Sequence, residues 1–202
     1  MGVYELSGAG SLKTGRTLYT SMNAGNQYGA MVPIGSQTGF SGSSSQIIFD
    51  NIPQTYQDLM VVFSLRTTYA GVYDTSISMI ANNSYTSIYS WTELKGNGSS
   101  ATSSRSTAVN YGSTSVYGAN AALAPTGTFA SSVFHILNYA NTTTYKTVLM
   151  RSAADSNGQG GTNLTASLIQ TTGGIVQLLI QSNGNFVSGS TITLYGIRAV
   201  SS

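Results

Sequence analysis

The stretch from Gln46 to Thr68, QIIFDNIPQTYQDLMVVFSLRTT, constrains this chain more than any other. Ile47, Ile48 and Phe49 form a short apolar run. Leu59 to Leu65 resumes as a longer one, rich in the β-branched and aromatic residues that suit a pleated, buried strand. Asp50, Asn51 and Pro53 interrupt the two runs, because Asx side chains bond their own backbone and proline has no N–H for a ladder. Two strands and a corner therefore open the folded core. The strand Thr191–Ile197, at the far end of the chain, is expected to close it beside them.

The same signature recurs down the chain. Strands are expected at 47–52, 58–68, 75–81, 86–93, 128–139, 144–152, 163–171, 175–182 and 190–198. Turn signals separate them at Asn82-Asn83, Asn141 to Thr144, Asp155 to Gly161, Gly173-Gly174 and Asn183 to Asn185. Phe134 and Ile136 share one strand face, with Val133, His135, Leu137 and Tyr139 on the other. Leu164, Ala166 and Leu168 alternate in the same way. Lys95–Thr107 reads as a Gly/Ser/Asn/Thr loop. Closely spaced strands with no long helical period predict an all-β fold, an antiparallel jelly-roll β-sandwich of about eight strands over residues 46–202.

Residues 1–45 read as an extended N-terminal arm. Glycines recur through it, and apolar residues appear singly rather than with a sustained period, although Thr17–Ala24 could make two helical turns. Val3, Tyr4, Leu6, Leu12, Leu18, Tyr19, Met22 and Tyr28, together with Arg16, are the expected anchors to neighbouring subunits.

Composition decides what such a chain does with its surface. Thirteen Tyr and six Phe argue against disorder. Only 7% of the 202 residues are charged, against roughly 25% in an ordinary soluble domain. Ser, Thr, Asn, Gln and Gly replace the charges. Small polar side chains cost little to order, and a weakly charged surface offers little repulsion to association. This favours an assembly protein. The basic residues are scattered and the net charge is +2, which argues against a phosphate-backbone partner. No membrane span is expected, since no apolar window approaches the needed length, and no basic-then-apolar leader opens the sequence. The absence of cysteine excludes disulfides and thiolate metal sites.

Catalysis finds no support in the residues. His135 is the single histidine and lies mid-strand beside Phe134 and Ile136. The six carboxylates, Glu5, Asp50, Asp58, Asp74, Glu93 and Asp155, fall mostly in turns or at strand ends. No Gly-x-Ser-x-Gly elbow occurs. No catalytic residue, cofactor or metal site is expected. The rival from another class is a sugar platform, for which Tyr85, Tyr89 and Trp91 are the candidate contacts; the competing reading places Trp91 in the core.

Three blocks carry a family resemblance. Phe49-Asp-Asn-Ile-Pro-Gln-Thr-Tyr-Gln-Asp-Leu59, Asn138-Tyr-Ala-Asn-Thr-Thr-Thr-Tyr-Lys-Thr-Val148 and Ser190-Thr-Ile-Thr-Leu-Tyr-Gly-Ile-Arg198 resemble, in this order and spacing, a group of tailed-bacteriophage virion proteins. In that group a corner of this kind opens a jelly-roll domain and a strand of this kind closes it. The resemblance implies a non-enzymatic virion component. The expected role is a capsid decoration, or cement, protein that binds the major capsid protein through its arm. A head fibre, or a tail or baseplate part, is the alternative. Association with copies of itself, as a homotrimer, is expected through the β-domain. Beside the resemblance, Tyr56 can bury its ring against the corner, and Gly196 within a strand signals a bulge or close backbone approach.

Overall fold

The computed structural model describes residues 30–114 and 116–199. Among them are fourteen strands and no helix. In chain order these are β1 (Met31–Gln37), β2 (Gln46–Phe49), β3 (Asp58–Leu65), β4 (Asp74–Thr75), β5 (Ile77–Ala81), β6 (Tyr89–Gly96), β7 (Ala101–Val109), β8 (Gly112–Ser113), β9 (Ala119–Asn120), β10 (Ala130–Ile136), β11 (Lys146–Asp155), β12 (Gly160–Ile169), β13 (Leu178–Ser182) and β14 (Thr191–Ile197). Every ladder is antiparallel. One sheet has eight strands in the order β1-β14-β3-β10-β11-β12-β6-β7, a second has four in the order β2-β13-β5-β8, and β4 pairs with β9.

The opening stretch behaves as its sequence predicts. Its second run is β3, at the centre of the large sheet, with buried Leu59, Val61, Phe63 and Leu65 alternating with half-buried neighbours. The closing strand β14 pairs along its length, with Leu194 opposite Val61. One contiguous core cluster joins this face to the small sheet, drawing on Phe134, Ile136, Ile192 and Leu194 from one and Ile47, Ile77, Met79, Leu178 and Ile180 from the other. Phe63 and Phe134 meet edge to face with centroids 4.9 Å apart, a geometry aromatic quadrupoles favour.

The corner before β3 is built as a close approach. Asn51 takes a left-handed backbone (φ 52°), and Tyr139 donates its hydroxyl to the Pro53 carbonyl. The Tyr56 ring lies flat on the backbone of β14: a Cβ on Gly196 would sit 2.4 Å from it. Only glycine fits there.

Three expectations change. The large sheet begins inside the segment assigned to the arm, because Met31–Gln37 pairs with β14 from Ile197 to Ile192. Pro33 and Gly35 obscure this strand in the sequence, but an edge position tolerates proline, and a bulge falls between Pro33 and Gly35. The expected loop at Lys95–Thr107 contains most of β7, paired with β6. Tyr139 is fully buried rather than outward with Leu137; β10 ends at Ile136, and the left-handed Asn138 (φ 49°) turns the chain inward. The anchors Val3, Tyr4, Leu6, Leu12, Arg16, Leu18, Tyr19, Met22 and Tyr28 lie outside the described residues.

Candidate functional site

From β11 toward β7, the large sheet turns inside out. On β12 the alternation Leu164, Ala166, Leu168 is real, but it faces outward. Leu164 is 44% exposed, whereas Asn163, Thr165 and Ser167 are buried. On β6, Glu93 is buried and its neighbour Leu94 is 56% exposed. On β11, Lys146 and Ser152 join Val148 and Met150 inside, while Leu149 points out.

The buried polar groups have partners. Ser132, Ser152 and Asn163 are directly opposed across β10, β11 and β12 and form one cross-strand row. Each donates to a carbonyl of the connection that crosses above them: Ser132 Oγ to Gly118 O at 3.2 Å, Ser152 Oγ to Val116 O at 3.4 Å, and Asn163 Nδ2 to Thr114 O. The small sheet is four strands wide against eight. Here irregular backbone lies over the large sheet, and backbone carbonyls require donors beneath them. That requirement explains why small polar residues occupy the inward positions.

Glu93 is the charged centre of this region. Its carboxylate accepts from Lys95 Nζ at 3.0 Å, Ser104 Oγ at 2.5 Å and Asn163 Nδ2 at 2.9 Å. Thr165 Oγ1 in turn donates to Asn163 Oδ1 at 2.7 Å. Burial by itself raises the carboxyl pKa. The hydrogen bonds from Ser104, Lys95 and Asn163, with the Lys95 charge, outweigh it and hold the group below its ordinary value. Lys146, also buried, donates to the carbonyls of Asn141, Thr144 and Thr172 at 2.5, 2.7 and 3.2 Å and clamps the turn before β11; burial lowers its pKa.

The outer face of the same sheet is the opposite surface. Ladder register sets two cross-strand rows on it, Tyr195–Met60–His135–Leu149–Ala166–Thr92 and Thr193–Val62–Val133–Arg151–Leu164–Leu94. Six strands about 4.8 Å apart and seven residues at about 3.3 Å rise make a field of roughly 600–700 Å². Its apolar members, among them Met60, Val62, Val133, Leu149, Leu164 and Leu94, are interrupted by His135, Arg151, Thr92 and Thr193. His135 Nε2 lies 3.2 Å from Asp58 Oδ2, and Asp58 Oδ1 accepts from Asn138 N at 2.8 Å. The cross-strand neighbours of His135 are Met60 and Leu149, so no hydroxyl nucleophile stands opposite this pair.

The three sugar candidates do not form a platform. Tyr85 is 45% exposed, but Tyr89 is fully buried: its hydroxyl accepts from Ala81 N at 2.9 Å and donates to Ser84 O at 3.1 Å. It is a core residue, not a contact. Trp91 is half-buried and shares the inward register of Tyr89 and Glu93. Among the described residues no group of three or more His, Asp or Glu side chains could hold a metal ion. The outward leucines and the inward polar row were both present in the sequence; what hid them is that alternation gives a period without saying which face is inside.

No family model, no curated protein and no solved structure matches this chain.

Proposed function

We propose that this protein is a structural component of a tailed-phage particle, a non-enzymatic decoration protein of the head whose contact with the shell is the outer face of the eight-stranded sheet. The observation that carries this reading is the inside-out pattern running from β11 through β12 to β6, which leaves Leu149, Leu164 and Leu94 in water while polar side chains are sequestered beneath them. Exposed leucines aligned on a broad, sparsely charged face mark an association surface. The resemblance of the corner, the 138–148 block and the closing strand to phage virion proteins supplies the kind of particle.

The strand order supports a jelly-roll reading of the fold. Omitting β6–β7, β11–β12 and the β4–β9 pair, the chain crosses between sheets at every step except β5 to β8, and the two orders become β1-β14-β3-β10 and β2-β13-β5-β8. Two four-stranded sheets joined in this way are the plan of two Greek keys. The two omitted pairs then widen one sheet into the proposed docking face. In this reading the β-domain also associates with copies of itself.

Co-sedimentation with particles of the phage that encodes the protein tests the reading. The wild-type chain is expected to sediment with the heads, and a Leu94→Lys/Leu164→Lys variant to stay in solution. Absence of the protein from purified particles, or equal binding by both chains, contradicts it. Co-sedimentation with isolated tails alone would move the role to the tail.

A further inference from the structure

The four edges of the two sheets are unequally protected. β1 carries Pro33 and a bulge, β2 is four residues long, and β8 is two residues long. Short strands, proline and bulges are the devices that keep open edges from pairing with another chain. β7 is nine residues long, has no proline, contains one charge (Arg105), and ends the eight-stranded sheet with no strand beyond it among the described residues; its one bulge, at Thr107 and the left-handed Ala108 (φ 53°), lies toward its far end and leaves Ala101–Ser106 regularly paired. Nearly all its side chains are exposed, on both faces. It is a flange that stands clear of the four-stranded sheet.

We infer that β7 is the contact between two copies of this chain, pairing antiparallel with β7 of a second copy across a two-fold axis at Ser104. This deepens the self-association part of the function proposed above and replaces the three-fold contact expected from sequence with a two-fold one.

The backbone sets which groups are available. Across the hairpin turn Asn97 N donates to Ser100 O at 3.2 Å. Antiparallel pairs alternate between bonded and non-bonded. With Lys95 opposite Thr102 and Glu93 opposite Ser104, residues 102, 104 and 106 turn their N–H and C=O toward β6. Those of Ala101, Ser103 and Arg105 point out. An axis at Ser104 sets each Ser103 against Arg105 of the other copy, both with outward backbone groups. An axis at Arg105 would oppose the two arginines, which like-charge repulsion disfavours. Arg105 thus disfavours that register. The joined sheets would present their two outer faces side by side as one surface. An edge-to-edge contact is narrow, below the roughly 1,200 Å² of a standard interface, so the association should depend on concentration.

Sedimentation velocity of the full chain over a concentration series tests this. The wild type is expected to pass from monomer to dimer. Ser103→Pro removes an outward N–H and leaves the β6 ladder intact; it should remain monomeric with an unchanged far-ultraviolet spectrum. Ser103→Lys, which faces Arg105 of the second copy, should weaken the dimer about tenfold, and Ser103→Lys/Arg105→Glu should restore it. A wild type that stays monomeric throughout overturns the inference; particle binding, measured separately, would then still support the docking face. Higher-order association unaltered by Ser103→Pro and Ser103→Lys also overturns it, since copies would then meet elsewhere.

Discussion

The two ends of the eight-stranded sheet bury opposite things. Across β14, β3 and β10 the inward positions are Ile192, Leu194, Leu59, Val61, Phe63, Phe134 and Ile136, packed with the small sheet in one core cluster. Across β12 and β6 the inward positions run from Ile169 and Tyr89, in the core, to Trp91, Ser167, Thr165, Asn163 and Glu93; Asn163 joins Glu93, Thr165 and the Thr114 carbonyl, and Ser167 donates to Ser90 O. Leucines occupy the outward positions there. The first end holds the fold through apolar burial, which needs no fixed geometry. The second holds it through directional bonds to irregular backbone, which are costly to leave unmade. The leucines spared from that interior are available for contact with another molecule.

Substitutions can break this contrast, and the apolar end should respond most. Phe134→Ala removes a fully buried ring at the Phe63 contact; loss of about 3–5 kcal/mol is expected in denaturant unfolding. At the polar end, Asn163→Ala leaves Glu93, Thr165 and the Thr114 carbonyl short of a partner. Its expected cost is about 2–3 kcal/mol. A paired Glu93→Met/Asn163→Leu change sharpens the point: it removes the carboxylate and its amide partner together but leaves the Thr114 carbonyl without its donor, so stability should not return to that of the wild type. Recovery of stability in that double variant would show that the polar interior is required by its own members and not by the fold.

A smaller effect should appear in pH dependence. The Glu93 carboxyl is lower in the folded chain than its ordinary value. Its charged form therefore stabilises the fold above the ordinary carboxylate range, and that contribution is lost as pH falls through the lower folded value. Glu93→Gln should remove this part of the acid sensitivity in a thermal-melting series. The smallest change in stability, about 0.5 kcal/mol or less, is expected for Leu164→Ser, because its side chain is 44% exposed; particle binding should fall even so.

How far the sequence discloses this structure differs between the same two ends. β3, β10 and β14 are legible because one face is buried in apolar surroundings and the other is not, so period and composition agree. The Tyr56–Gly196 approach was likewise signalled by a glycine inside a strand. β7 reads as a loop in the sequence because a strand exposed on both faces carries no apolar alternation: Ala101 to Val109 is mostly Ser and Thr. β12 was read as a strand, but with its leucines given no direction. The face they take is decided by the narrowness of the small sheet and by the carbonyls of Thr114, Val116 and Gly118, neither of which is local to β12. Tyr89 and Trp91 looked like an aromatic platform because they are close in sequence; the inward register they share puts Tyr89 in the core.

The most direct test of the central claim is a cryo-electron microscopy map of the intact phage particle with this chain located in it. The account predicts copies on the head with the outer face of the eight-stranded sheet, at Leu94, Leu149 and Leu164, sealed against a neighbouring subunit. A map in which that face is open to solvent while the chain is held by other surfaces would contradict it.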